Sequence, residues 1–202
     1  MSEIVTPAEI LEYWFGPLDE HGLTVLDKSP LWWQKNPETD AEIRARFEPT
    51  AQAAARGELH DWAETPAGCT ALIVALDQFP RNMYRDTPAA FAADPLALAV
   101  STEGIARNHD LALPLVYRVF FYLPLEHAED RQIQAQSVGH FVQLLEQAPP
   151  PARKAAATYL DFAKRHQVII DRFGRFPHRN QILGRRSTEE ELAFLEEPGS
   201  SF

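Results

Sequence analysis

The chain has one cysteine, Cys69, among 202 residues, so it can form no internal disulfide. It has no long apolar run: the longest, "TALIVAL", is far too short to span a bilayer. The first residues, "MSEIVTPAEI", carry neither a basic segment nor an apolar one of the kind that directs secretion. These absences together predict a cytoplasmic protein. Positive charge is also scarce. Lys and Arg total 19 against 29 Asp and Glu, and a net charge of −10 disfavours nucleic acid and anionic membranes as partners. There is no GxSxG, no phosphate-binding GxxxxGK[ST], no dinucleotide fingerprint, and no HExxH, HxH or paired-Cys spacing. The expectation is therefore no cofactor and no metal. His127, His140, His166 and His178 lack ligand spacing, and His166 reads as a hydrogen-bonded core histidine. Cys69 reads as a small core residue rather than a catalytic thiol.

What is present is helical. Hydrophobic residues make up 45% of the chain and recur at helical spacing, while strand-like alternation is missing. "TPAEILEYWF" offers Thr6 as N-cap, Pro7 at the first position and Glu9 to close a capping box, with Ile10, Leu11, Trp14 and Phe15 as the apolar stripe. "TDAEIRARFEPTAQAAARG" predicts a helix ending near Gly57, with Pro49 as a break or kink. "AGCTALIVALDQF" predicts a buried helix running up to Pro80. Asp94 reads as the cap of "DPLALAVSTEGIARN", and Pro114 and Pro124 frame "LPLVYRVFFYLPL". Two further helices follow in "EDRQIQAQSVGHFVQLLEQ" and "PARKAAATYLDFAKRHQVIIDRFG". Ser187 with Glu190 reads as a second capping box. The sum is an all-α antiparallel helical array of about seven to nine helices, one domain over residues 1–202, its 16 prolines marking helix boundaries. Residues 19–38 form the longest expected surface loop, and Trp14, Trp32, Trp33 and Trp62 are expected to anchor packing. A homodimer through exposed aromatics near Trp32 and Trp33 is a minor expectation.

Three constellations carry polar chemistry. Lys164 to Arg186 holds seven Lys/Arg and two His against a single acid, Asp171. Cations at a helix C-terminus stabilise it without further function, which accounts for Lys164, Arg165 and Arg172. Arg175, His178, Arg179, Asn180 and Arg185 lie beyond the expected helix end, where guanidinium forks suit carboxylate or phosphate oxygens. In "LDQFPRNMYR", Asp77 closes an apolar helix and needs a partner, either Arg81 or an arginine of the C-terminal segment. Asn82 suits a turn. "YLPLEHAED" brings Glu126, His127 and Glu129 together. They are either ordinary first-turn acids or a histidine acid/base with a carboxylate to orient it. Arg118 in "VYRVFFY" is surrounded by apolar residues and reads as buried and paired.

The stretches "YWFG", "LDQFPRNMYRDTPAAFAAD", "FFYLPLEHAEDRQIQAQS" and "DRFGRFPHRNQILGRRSTEEELAFL" resemble the bacterial domain of unknown function 924 across nearly the whole chain. The resemblance implies an all-α, tetratricopeptide-like array and implies no reaction. The polar residues within the matching stretches are Asp77, Arg81, Asn82, Glu126, His127, Glu129, Arg172, Arg175, His178, Arg179, Asn180 and Arg185.

Two functional expectations follow. In the first, these segments line a pocket for a small anionic ligand bearing phosphate or carboxylate. Arg81, Asn82, Arg118, Glu129, Arg172, Arg175, Arg179, Asn180 and Arg185 bind it, and His127, Glu126, His178 and Asp77 supply catalysis for a metal-independent hydrolase of esters or phosphoesters. In the second, the chain is a non-enzymatic scaffold that binds a peptide or protein in its groove, and the polar residues are structural ion pairs. "LDQFPRN" and "RFGRFPHRN" share the ending Phe-Pro-(His)-Arg-Asn. The distance between these two endings separates one joint site from two helix stops.

Overall fold

A computed structural model describes residues 4–200. Among these residues the fold is all-α: the one extended pairing is an isolated bridge between Leu18 and Thr24. The chain runs through α1 (Pro7–Trp14), α2 (Ser29–Trp33), α3 (Pro37–Ala55), α4 (Pro66–Ile73), α5 (Phe79–Met83), α6 (Asp94–Ala106), α7 (Leu115–Glu126), α8 (Arg131–Gln147), α9 (Arg153–Phe173) and α10 (Glu189–Leu195). Thr6 and Glu9 form the expected capping box at α1. α9 ends as the sequence predicts, on Gly174 at φ +71°, a conformation that costs little without a Cβ.

The core is aromatic. Trp14 meets Phe79 and Phe120 edge-on at 5.6 and 5.7 Å, and Phe47 stacks on Phe79 at 4.6 Å. All four are buried, joining α1, α3, α5 and α7. α7 is buried along its length between α6 and the α8–α9 pair. Ile169, Ile170 and Phe176 form a smaller cluster at the far end of α9, covered by Phe173 and Phe194.

Several boundaries differ from expectation. Pro49 lies inside α3 without ending it; Ala45, four residues earlier, is exposed, so water can satisfy the carbonyl that Pro49 leaves unpaired. Pro124 lies inside α7, where burial on every side holds the helical backbone for two more residues. The helix containing Asp77 does not stop at Pro80. A π turn, Val74–Gln78, links α4 to α5, with Phe79 N–H donating to the Val74 carbonyl. The wider turn moves away the carbonyl that a proline ring would otherwise meet. The second capping box is Thr188 with Glu191, one residue later than expected. Asp94 is the first residue of α6, after Ala93 as N-cap, and its carboxylate is engaged elsewhere. Residues 19–38 include α2, whose Trp32 donates its indole N–H to the Trp14 carbonyl at 3.0 Å. Trp33 remains half exposed.

Candidate functional site

The π turn places Asp77 fully inside the molecule. A bare buried carboxylate is costly, and this one is surrounded by donors. His127 Nδ1 lies 2.8 Å from Asp77 Oδ1. Arg81 Nη1 lies 3.1 Å from the same oxygen and donates to the Asp77 carbonyl at 2.6 Å. The neighbouring Gln78 amide donates to Asp77 Oδ2. Burial alone pushes the Asp77 carboxyl up, but Arg81, His127 and these hydrogen bonds outweigh it and hold the group well below the usual carboxylate range. Arg81 then turns its fork onto Asp94, with bonds of 2.9 and 3.0 Å.

His127 caps the C-terminus of α7. Buried Gln134 on α8 fixes the backbone on both sides of it: its amide Nε2 donates to the Glu126 carbonyl at 2.6 Å and to the Ala128 carbonyl at 2.8 Å. With Nδ1 on Asp77, His127 Nε2 has no hydrogen-bond partner among the described residues. Burial and Arg81 lower the His127 pKa more than Asp77 raises it, which favours neutral imidazole.

The Glu126 side chain lies beneath this pair, with Oε1 3.0 Å from His166 Nδ1. That nitrogen is also 2.9 Å from the Phe162 carbonyl and donates to it. Burial, with a smaller contribution from the Asp77 charge, pushes the Glu126 carboxyl up to about 8. Burial pulls His166 down to about 3. The two are thus neutral together at neutral pH: desolvation outweighs the attraction that an ion pair would gain.

Arg179 arrives from the C-terminal segment, in a 3-10 turn over Pro177–Arg179. Its guanidinium lies over Phe91 at 4.8 Å and Phe176 at 4.6 Å. Its acceptor among the described residues is Asp94 Oδ2, 3.4 Å from Nη1, and its buried Nε has none. Burial and the nearby Arg81 bring it down to about 10, the response of a cation short of negative charge. His178, also pulled down to about 4 by burial and Arg179, sits at the rim. Arg81, Phe91, Asp94, His127 and His178 are only partly buried, so the cluster reaches the surface.

The two Phe-Pro endings therefore meet. Asp94 bridges Arg81 of the first and Arg179 of the second. In both, the proline opens a short helical turn instead of closing a helix.

Arg172, Arg175 and Arg185 of the C-terminal segment have carboxylate partners. Arg185 makes a fork-to-fork pair with Glu129, at 2.5 and 2.9 Å, and donates to Asn180 Oδ1. Glu129, which follows α7 in the turn before α8, also accepts from Phe176 N–H at 2.8 Å. Arg175 is bidentate on Glu191 at 2.7 and 2.8 Å, and Asn180 donates to the same carboxylate. Arg172 pairs with Glu190 on the surface. Asn82 and Arg85 share Asp40 on α3, and Asn82 lines an open concavity of ≈ 470 Å³ that contains none of the cluster. Arg118 is buried and paired with uncharged groups, Gln147 at 2.7 Å and the Tyr122 hydroxyl, which in turn donates to Asp110. No hydrogen bond or ion pair joins it to the Asp77 group.

Asp94, Gln134 and Phe91 escaped sequence reasoning. Asp94 was visible, but next to a proline it looks like an N-cap. Nothing in the sequence signals that Gln134 reaches back across a turn. His166 is the hydrogen-bonded core histidine expected, and its proximity to Glu126 was the part not foreseen. Among the described residues no group of three His, Cys, Asp or Glu is placed to hold a metal ion, and no helix is long and apolar enough to cross a membrane.

The family described as a bacterial protein of unknown function (DUF924) matches residues 10–199. A solved structure of a protein of unknown function from Agrobacterium tumefaciens is 40% identical, with a TM-score of 0.77, covering 94% of this chain and 96% of that one. No curated protein matches the chain.

Proposed function

The chain belongs to the bacterial DUF924 family, and from that premise we propose that it is a metal-independent hydrolase acting on a small anionic substrate at the Asp77–His127–Arg179 cluster. The observation that carries this reading is Arg179: a buried guanidinium with one long hydrogen bond and an Nε that has no acceptor. Arg175 and Arg185, by contrast, are closed by carboxylates, and buried Arg118 by the Gln147 and Tyr122 oxygens. A substrate carboxylate or phosphate supplies the missing acceptors.

The remaining groups hold different charge states. Asp77 stays ionised and orients His127, whose unpartnered Nε2 is left to meet the substrate. Glu126 stays protonated, with its carboxyl on His166 and the Asp77 charge nearby. Arg81 and Arg179 stabilise negative charge on the reacting group.

The test is calorimetric titration with inorganic phosphate and with succinate, alongside thermal melting. Wild type is expected to bind at least one of them, and Arg179→Gln to bind it about 30-fold more weakly, the loss of a charged hydrogen-bonded contact. Without ligand the variant is expected to melt no lower than wild type, because it removes a poorly compensated buried cation. Wild type that binds neither anion would end the proposal, and a variant that melts well below wild type would make Arg179 structural.

A further inference from the structure

The proposed reaction leaves open which atom attacks and which class of substrate fits; both answers below rest on that reading of the cluster. A metal-free hydrolase attacks either through activated water or through a nucleophile of its own. No Ser, Thr or Cys side chain hydrogen-bonds to the side chain of Asp77, Arg81, His127 or Arg179 among the described residues. Ser187 bonds to Asn180, outside the group. The Cys69 thiol is buried beside the Val100 carbonyl and pushed up to about 12 by burial, which makes it inert. The nucleophilic atom that is both held and open is His127 Nε2. Its ring is fixed through Nδ1 on Asp77, and its backbone is fixed by Gln134 on both flanks. Asp77 is itself held by Arg81 and Gln78, so the carboxylate cannot swing away. An imidazole that donates Nδ1–H to a buried carboxylate is more nucleophilic at Nε2, and the same carboxylate stabilises the positive charge that appears when Nε2 forms a bond.

The charge stabilisers point to phosphorus rather than to an acyl carbon. Acyl transfer concentrates charge on one oxygen, commonly met by backbone N–H groups. Here Phe176 N–H, whose ring lies under Arg179, already bonds to Glu129. The cluster instead presents the guanidinium of Arg179, while the fork of Arg81 is held on Asp94 and Asp77. Phosphoryl transfer spreads charge over three equatorial oxygens, which suits such a fork.

We infer that the substrate is a phosphomonoester and that His127 Nε2 takes its phosphoryl group to form a phosphohistidine. The Nε2 lone pair forms the N–P bond as the P–O ester bond breaks, and the departing alkoxide takes a proton from water, leaving hydroxide. Hydroxide then attacks phosphorus, the N–P bond breaks, and its electron pair returns to Nε2. Inorganic phosphate leaves, and His127 returns to its starting state. The Nδ1 proton stays on the Asp77 hydrogen bond throughout, and no reactant other than water is required.

The experiment is labelling of the full chain with acetyl phosphate and with phenyl phosphate, followed by digestion and mass mapping in alkali. The expected result is a phosphoryl adduct on His127 that survives alkali and is lost in acid. His127→Gln should abolish it; if that variant does not fold, the position mapped in wild type decides alone. An adduct on any other residue overturns the inference. If phosphate binds in an Arg179-dependent way and no adduct forms, the covalent step is overturned while the anion site stands. If succinate binds and phosphate does not, the substrate class is overturned. If neither binds, both proposals fall.

Discussion

At the scale of single residues, the cluster sets opposing titrations against each other. Glu126 is held at about 8 in the fold, against 4.5 for an ordinary carboxyl. Its stabilising contribution is therefore full below about 4.5 and is lost as the pH rises through about 8. His166 and His178 are held at about 3 and about 4, against 6.5, so folding favours their neutral forms. The stability they contribute is full above 6.5 and is lost as the pH falls through the lower values. These terms together predict a stability maximum near pH 6.5 with a fall on the alkaline side. Urea unfolding should show wild type losing roughly 1 kcal/mol between pH 6.5 and 8, and Glu126→Gln should abolish that fall. An identical alkaline slope in the two proteins would mean that Glu126 is already ionised. His127 and Arg179 were both legible in the sequence as polar residues beside a proline. That one is open at Nε2 and the other short of acceptors was not legible, because both facts depend on which carboxylates arrive from other elements.

At the scale of helices, close approach matters more than propensity. Gly104 brings α6 against α7 and α4: a Cβ there would stand 2.5 Å from Phe121 Cζ and 2.9 Å from Cys69 Sγ, both on buried side chains. Gly104→Ala gains helix propensity yet should lower stability by about 1–3 kcal/mol, because the overpacked site has no room to relax. Equilibrium unfolding measures this directly, and a stabilised variant would show that α6 can shift outward. The helices themselves were largely readable. Thr6 with Glu9 and Gly174 after α9 are local devices whose partners lie within a few residues. Proline was the misleading signal. Pro49, Pro80 and Pro124 all sit within continuous helical runs, for reasons that come from tertiary surroundings or from the π turn, and none of those reasons is written beside the proline. The same π turn places Asp77 inside, so the least predictable stretch of backbone carries the central carboxylate.

At the scale of the whole molecule, residues 175–191 act as a strap. Glu191 accepts from Arg175 through both oxygens, from Asn180 and from Thr188 N–H, and Glu129 draws Arg185 and Phe176 back to the end of α7. Glu191→Ala should loosen the strap without unfolding the array. Amide exchange over residues 176–185 is expected to speed up about 10–100-fold while α8 and α9 keep their protection. A uniform loss of protection would mean that the strap and the array open as one unit. The bridge at Asp94 has a further consequence for how the protein is made. Arg179 joins it from 85 positions downstream. A nascent chain at about 5–20 residues per second therefore spends on the order of ten seconds with Arg81 and Asp94 translated and no Arg179 to share them. Over that interval the bidentate Arg81–Asp94 pair can form on its own, so the newborn protein acquires its framework first and its second guanidinium last.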